Sequence, residues 1–149
     1  MVKIEYRDLG LIRYGEALEY QKGLFEEMIR LKMNNQTKRS PSPEMNYLIF
    51  CEHPPVFTLG KSGSENNLLI NESLLRKMGI EFYRINRGGD ITYHGPGQIV
   101  GYPIIDLEQF GLGIKDYIFL LEEAVIVLLQ EYGITAGRLD TATWPRAKQ

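Results

Sequence analysis

The chain has 149 residues, 44% hydrophobic and 24% charged, with a formal net charge of -2. That balance excludes intrinsic disorder, which needs low hydrophobicity with high net charge, and it speaks against a nucleic-acid binder, which carries a basic face. A lone cysteine, Cys51, cannot form an internal disulfide, and MVKIEYRDLG is too charged for a signal peptide. With no run near the roughly 20 apolar residues of a membrane span, a single cytoplasmic domain covering residues 1–149 is expected.

Val2 to Leu9 alternates loosely and is rich in β-branched and aromatic residues, which predicts a strand. From Arg13 to Met33, Tyr14, Ala17, Leu18, Leu24, Phe25, Met28 and Ile29 recur at helical spacing, with Gln21 a polar exception on the apolar face. Asn34 and Asn35 are expected to stop this helix, and Gln36 to Glu44, with its Ser-Pro-Ser-Pro run, to form a loop. Strands follow at Tyr47–Cys51 and Val56–Leu59, separated by Glu52-His53-Pro54-Pro55, and then a polar turn from Gly60 to Asn67. Asn71 to Met78 reads as a short helix capped by Asn71 and ended by Gly79. Ile80–Ile85 and Ile99–Leu107 read as strands, the second with Pro103 marking an edge or a bulge. Gly113 to Tyr132 predicts a second long helix, presenting Tyr117, Leu121, Ala124, Val125, Leu128, Leu129 and Tyr132, and Ile134–Thr135 begins another strand.

Segments 47–51 and 56–59 are too close for a helical crossover, so part of the sheet is expected to be antiparallel. The expected class is α+β: a mixed, largely antiparallel sheet covered by helices.

Arg87 to Gln98 reads RGGDITYHGPGQ, with four glycines and a proline, and cannot be regular throughout. A glycine-rich loop lets backbone approach a ligand closely and can aim N–H groups at it. With Arg87, Thr92, Tyr93 and His94 it suits a carboxyl, thioester or phosphate group beside an apolar tail; the alternative is a tight turn between two strands. It lacks the Gly-Lys-Ser/Thr ending of a phosphate-binding P-loop and the glycine spacing of a dinucleotide fingerprint. His53 and His94, without a cysteine pair or a spaced carboxylate, make no metal site; His53 reads as capping a turn. Cys51, in an apolar strand, reads as a small buried hydrophobe. Lys61, Arg76, Lys77, Arg84 and Arg87 make the middle of the chain basic, while Asp106 to Glu131 is mostly acidic.

RGGDITYHGPGQIVGYPIIDL resembles the central motif of lipoyl(octanoyl) transferases. EHPPVFTLGKSG, from Glu52 to Gly63, is similar to the family's earlier motif, and DLGLIRYGEALEYQ to its first strand and helix. The matches run in order from about residue 8 to residue 137.

The resemblance implies the fold of lipoate- and biotin-protein ligases. It implies octanoyl transfer from octanoyl-acyl carrier protein to a lysine of a lipoyl domain, in 2-oxoacid dehydrogenases and the glycine cleavage H protein, with no cofactor, nucleic acid or membrane. It implies that Arg87, Gly88, Gly89, Asp90, Ile91, Thr92, Tyr93 and His94 line the acyl-substrate site. The family's nucleophile is a cysteine in a Pro-Cys-Gly setting, activated by an upstream lysine. That setting does not occur in the 149 residues, so no catalytic residue is assigned, and Trp144 and Lys148 are the nearest counterparts of the preceding family stretch. The alternatives are a fragment or acyl- or carrier-binding module without turnover, and an ATP-using lipoate-protein ligase, whose loop usually carries a longer glycine run.

Overall fold

A computed structural model describes residues 2–38, 45–139 and 142–147. Two compact units are present, essentially Lys3–Ile105 and Asp106–Gln149.

The first unit is built from two similar pieces. Strand β1 (Glu5–Leu11), helix α1 (Tyr14–Lys38) and strand β2 (Tyr47–Glu52) form the first. β1 and β2 are parallel, with Glu5 opposite Tyr47 and Asp8 opposite Phe50. A parallel pair needs a long crossover, and α1 lies within it. α1 runs past Asn34 and Asn35, where the sequence predicted its end. Asn costs a helix well under 1 kcal/mol relative to alanine, about 0.7 at most, so two of them do not stop one without glycine or proline. The remainder of the predicted 36–44 loop lies outside the described residues from 39 onward.

Strand β6 (Val100–Ile104) pairs antiparallel with β2, placing Tyr102 opposite Ile49 and Pro103 opposite Leu48. The order β1-β2-β6 leaves β6 at an edge, where a residue without an N–H is tolerated. Along β2, Tyr47, Ile49 and Cys51 point inward, and Met28 and Ile104 join Tyr47 and Ile49 in one core, with Leu24 and Tyr20 packed against it. Each fully buried large aliphatic side chain here contributes about 1.5–3 kcal/mol.

The second piece repeats the plan: strand β3 (Val56–Leu59), helix α2 (Glu72–Lys77) and strand β4 (Glu81–Arg84), with β3 and β4 parallel. Strand β5 (Ile91–His94) pairs antiparallel on the other side of β3. The Asn71 side chain accepts the Leu74 N–H at 2.9 Å, and Gly79 adopts φ +70° after the helix, as both residue types predict. Leu75 fixes α2 to the unit and is 1% exposed.

The sheet differs from expectation in one respect. Antiparallel pairs are present, but β2 and β3 do not pair with each other; they are the central strands of two separate sheets. Pro54 and Pro55 cannot donate to a ladder, so the chain leaves the first sheet at Glu52 and enters the second at Val56.

In the second unit a 3₁₀ turn (Leu107–Phe110) precedes helix α3 (Ile114–Glu131), then strands β7 (Ala136–Leu139) and β8 (Ala142–Ala147) pair antiparallel. Of the apolar face predicted for α3, Leu128 and Tyr132 remain 56% and 75% exposed, while Glu122 and Ile126 are buried. Glu122 is held there by Arg138 of β7, whose Nε donates to it at 3.0 Å; an Arg138 terminal nitrogen reaches Glu123 at 2.8 Å. The Arg138 guanidinium also lies 3.7 Å from the centre of the Phe119 ring. Lys148 lies outside the described residues, and nothing is described of the Trp144 side chain.

Candidate functional site

The segment from Arg87 to Gln98 folds as a turn, the short strand β5 and a second turn, so it is irregular at both ends as its glycines and proline require. The first turn is tied to the loop after β3. The Lys61 N–H donates to the Arg87 carbonyl at 2.9 Å and the Gly60 N–H to that of Asp90 at 3.3 Å. A Cβ on Gly60 would stand 2.3 Å from the Gly89 carbonyl oxygen, so only glycine admits this approach. Gly89 itself adopts φ +86°. The space around Gly88 is open, with no atom within 4 Å of where a Cβ would stand.

Arg87 turns inward. One terminal nitrogen donates to the Thr58 carbonyl, the Thr58 hydroxyl and the Asp90 carbonyl, each at 2.9 Å, and the other to the Gly88 carbonyl at 2.9 Å. Asp90 faces away from it: its carboxylate accepts the Ser64 N–H at 3.2 Å and the Asn67 side-chain amide at 2.5 Å.

The strand period of two divides the rest of the predicted site. Thr92 lies opposite Thr58, and His94 opposite Val56. Ile91 and Tyr93 therefore occupy the other face, where Tyr93 stacks at 5.0 Å on Phe57, its partner across the strands. Thr92 and His94 share their face with a cluster of aromatic and titratable groups. The His94 ring lies 6.0 Å from that of His53, His53 5.4 Å from Tyr14, and Tyr14 5.0 Å from Tyr83. The side chain of Gln98 accepts from His94 Nδ1 at 2.6 Å, which leaves the lone pair on Nε2. The second turn is pinned by Glu52, which accepts the Gly97 N–H at 2.7 Å.

His53 is fully buried. Its Nδ1 donates to the Ile12 carbonyl at 2.8 Å, because a carbonyl can only accept, so Nε2 accepts the Tyr102 hydroxyl at 2.8 Å. Burial pushes the Tyr102 phenol well above its ordinary range, opposed in part by a hydrogen bond with Gln21. Burial also raises the Tyr14 phenol, while the Arg87 charge pulls it back. The Cys51 thiol is 3% exposed, 3.6 Å from His53 Nε2, and pushed up by burial and then by Asp8, so it stays protonated and unreactive.

His53 is thus a buried node and not the turn cap that the sequence predicted. Tyr14, Thr58 and Tyr102 were not anticipated at the site. Gln21 could have been: a polar residue on an apolar helix face needs a buried partner. Of the basic residues in the middle of the chain, Arg76 and Arg84 have acidic partners, while Arg87 is bonded to neutral acceptors. Arg84 pairs with Glu65 at 2.8 Å and with Glu72, Arg76 pairs with Glu72, and Arg87 is engaged as above. Among the described residues, Lys61 and Lys77 remain of that set without a side-chain partner.

The family model of the lipoyl protein ligase A/B catalytic domain matches residues 13–143. An octanoyltransferase of Flavobacterium johnsoniae is 54% identical over 144 residues, covering 95% of this chain and 62% of that protein. One from Parabacteroides distasonis is 52% identical over 143 residues, covering 96% and 62%. The chain therefore spans about 62% of the length of these curated relatives. Among solved structures, a bi-partite lipoate protein ligase from Thermoplasma acidophilum superposes with a TM-score of 0.60 at 17% identity, covering 94% of this chain and 49% of that one. A lipoate-protein ligase A bound with ATP gives 0.55 at 16% identity, covering 95% and 53%. The fold is that of lipoate-protein ligase catalytic domains, and the chain belongs to the lipoyl protein ligase A/B catalytic domain family.

Proposed function

We propose that this chain serves octanoyl transfer in protein lipoylation, and that the Arg87–His94 segment holds the octanoyl group. The observation that carries this reading is the open approach at Gly88, within a segment that resembles the central octanoyltransferase motif, in a chain 54% identical to one octanoyltransferase. The overall reaction breaks the C–S bond of an octanoyl thioester on acyl carrier protein. It forms an amide on a lysine of a lipoyl domain, and the amine's proton passes to the released thiol. The acceptors are the lipoyl domains of 2-oxoacid dehydrogenases and the glycine cleavage H protein, and the setting is lipoate biosynthesis in the cytoplasm. Among the described residues no helix is long and apolar enough to cross a membrane.

The division of labour follows the geometry. Gly88 and Gly89 let the thioester lie against the backbone, and Thr92 and His94 supply polar contacts on the inner face. The Nε2 lone pair of His94 accepts a hydrogen bond from an incoming amine or thiol. Arg87 and Asp90 keep the loop in shape, and Ile91 and Tyr93 contribute apolar surface on the other face. Cys51, buried and protonated, packs and does not attack.

The test is to mix the purified chain with octanoyl-acyl carrier protein and an unmodified lipoyl domain and to read the intact mass of the lipoyl domain. An octanoyl increment without ATP would show that the chain itself transfers, with another group in the place of the family's cysteine. Saturable binding of octanoyl-acyl carrier protein without transfer would reduce the role to acyl binding. Neither binding nor transfer would overturn the reading, and modification by free octanoate that requires ATP would make the chain a ligase.

A further inference from the structure

Arg87 makes five hydrogen-bond contacts, and three of them end on one residue, Thr58. Thr58 lies on β3, 29 residues earlier in the chain, and is fully buried. Its hydroxyl accepts from Arg87 Nε at 3.3 Å and from a terminal nitrogen at 2.9 Å, and its carbonyl accepts from the same nitrogen at 2.9 Å. The guanidinium then reaches back to the carbonyls of Gly88 and Asp90, closing the turn on itself. One planar group thereby ties the start, middle and end of the Arg87–Asp90 turn to the central strand of the sheet. Four of its five N–H groups are thereby occupied.

We propose that Thr58 is a positioning residue for the acyl-binding loop, acting through the Arg87 guanidinium to set the path of Gly88 and Gly89. The role rests on the octanoyl-binding reading of this loop. Three points favour Thr58 over the strand backbone alone. The hydroxyl accepts from both donors of one guanidinium edge, Nε and a terminal nitrogen. Thr58 pairs across the ladder with Thr92, so a change there is felt directly in β5. The loop packs closely on Gly60, where an added Cβ would stand 2.3 Å from the Gly89 carbonyl oxygen. A loop packed on backbone and held by a five-contact brace has one permitted path.

Thr58→Val keeps the shape and removes the hydroxyl, Thr58→Ser keeps the hydroxyl, and Arg87→Lys removes the fork that no ammonium reproduces. Two readouts are needed: the Kd for octanoyl-acyl carrier protein, and site-resolved hydrogen exchange. Thr58→Val is expected to weaken binding by about tenfold, the scale of one lost buried hydrogen bond, and Thr58→Ser to restore it. Arg87→Lys, which removes all five contacts, is expected to weaken binding at least as much as Thr58→Val, and the double variant to be no weaker than Arg87→Lys alone, because the hydroxyl acts through the guanidinium.

In Thr58→Val the Gly60 and Lys61 amides, which donate to the loop carbonyls, exchange faster, while the Ile12 amide, bonded to Glu52 in the other sheet, keeps its rate. Wild-type binding by Thr58→Val, additive losses in the double variant, or uniform acceleration at all three amides would each overturn the proposal. If the unaltered chain binds no octanoyl-acyl carrier protein while the exchange effect stays local to Gly60 and Lys61, the octanoyl reading fails and the positioning of the loop by Thr58 stands.

Discussion

His53 Nε2 lies 2.8 Å from the Tyr102 hydroxyl, at the point where the chain passes from one sheet to the other. Tyr102 belongs to β6 of the first sheet, and the ring beside His53 on its other side is His94 of β5 in the second. The two sheets thus meet on a buried imidazole whose partners at both nitrogens are internal. Removing the Tyr102 hydroxyl leaves Nε2 facing only the weak Cys51 thiol, and Tyr102→Phe should cost about 1–3 kcal/mol in urea unfolding with an unchanged slope. His53→Ala should cost more, since it leaves the Ile12 carbonyl without this partner and the Tyr102 hydroxyl with Gln21 alone, and adds a cavity. A Tyr102→Phe protein as stable as the parent would show that the contact contributes nothing.

The same packing predicts loss of stability in alkali. The Cys51 thiol and the phenols of Tyr14, Tyr83 and Tyr102 all sit above their ordinary values, 9.0 for the thiol and 10.0 for the phenols, chiefly through burial. Above those values the unfolded chain releases protons that the folded chain still holds. Stability is therefore full below about pH 9 and falls as pH rises beyond it. Melting temperatures recorded from pH 7 to 11 should be flat and then decline, and Cys51→Ala should move the start of the decline upward. A flat profile to pH 11 would contradict this.

The elements were legible because they rest on local signals. The Asn71 cap, Gly79 and Gly133 with φ +70° and +71°, and the Pro103 edge are each properties of one residue. The site was legible only as a segment. Sequence spacing could not show that Arg87 turns to Thr58, because that contact joins residues 29 apart. Nor could it show that β2 and β3 belong to different sheets, since a short connection suits a hairpin as well as a crossing. The strand period divides residues 91–94 between two faces, sending Tyr93 toward Phe57 and His94 toward His53.

The Asp90 carboxylate holds the Ser64 N–H and the Asn67 amide, so it organises the loop after β3. Asp90→Ala should accelerate hydrogen exchange at Ser64 by about tenfold or more, given about 1.5–3 kcal/mol for a hydrogen bond to a charged group, discounted for exposure. Asp90→Asn, whose amide oxygen can still accept the Ser64 N–H, should lose less protection there than Asp90→Ala. Unchanged exchange at Ser64 in Asp90→Ala would mean that the loop holds itself.

The two glycines that flank the open approach should answer oppositely to one added methyl group. At Gly60 a Cβ meets the Gly89 carbonyl at 2.3 Å, a clash with backbone that no rotamer relieves. Gly60→Ala should therefore destabilise the protein and displace the loop, with a cost of about 1–3 kcal/mol typical of overpacking. At Gly88 a Cβ meets nothing within 4 Å and φ is not in the left-handed region, so Gly88→Ala should unfold at the parent temperature. If the octanoyl group lies against this backbone, the same methyl group occupies its path, and binding of octanoyl-acyl carrier protein should fall steeply in a fully folded protein. Calorimetric melting of both variants, followed by titration with the acylated carrier, separates the two effects. Full binding by a folded Gly88→Ala protein would remove this loop from the acyl site.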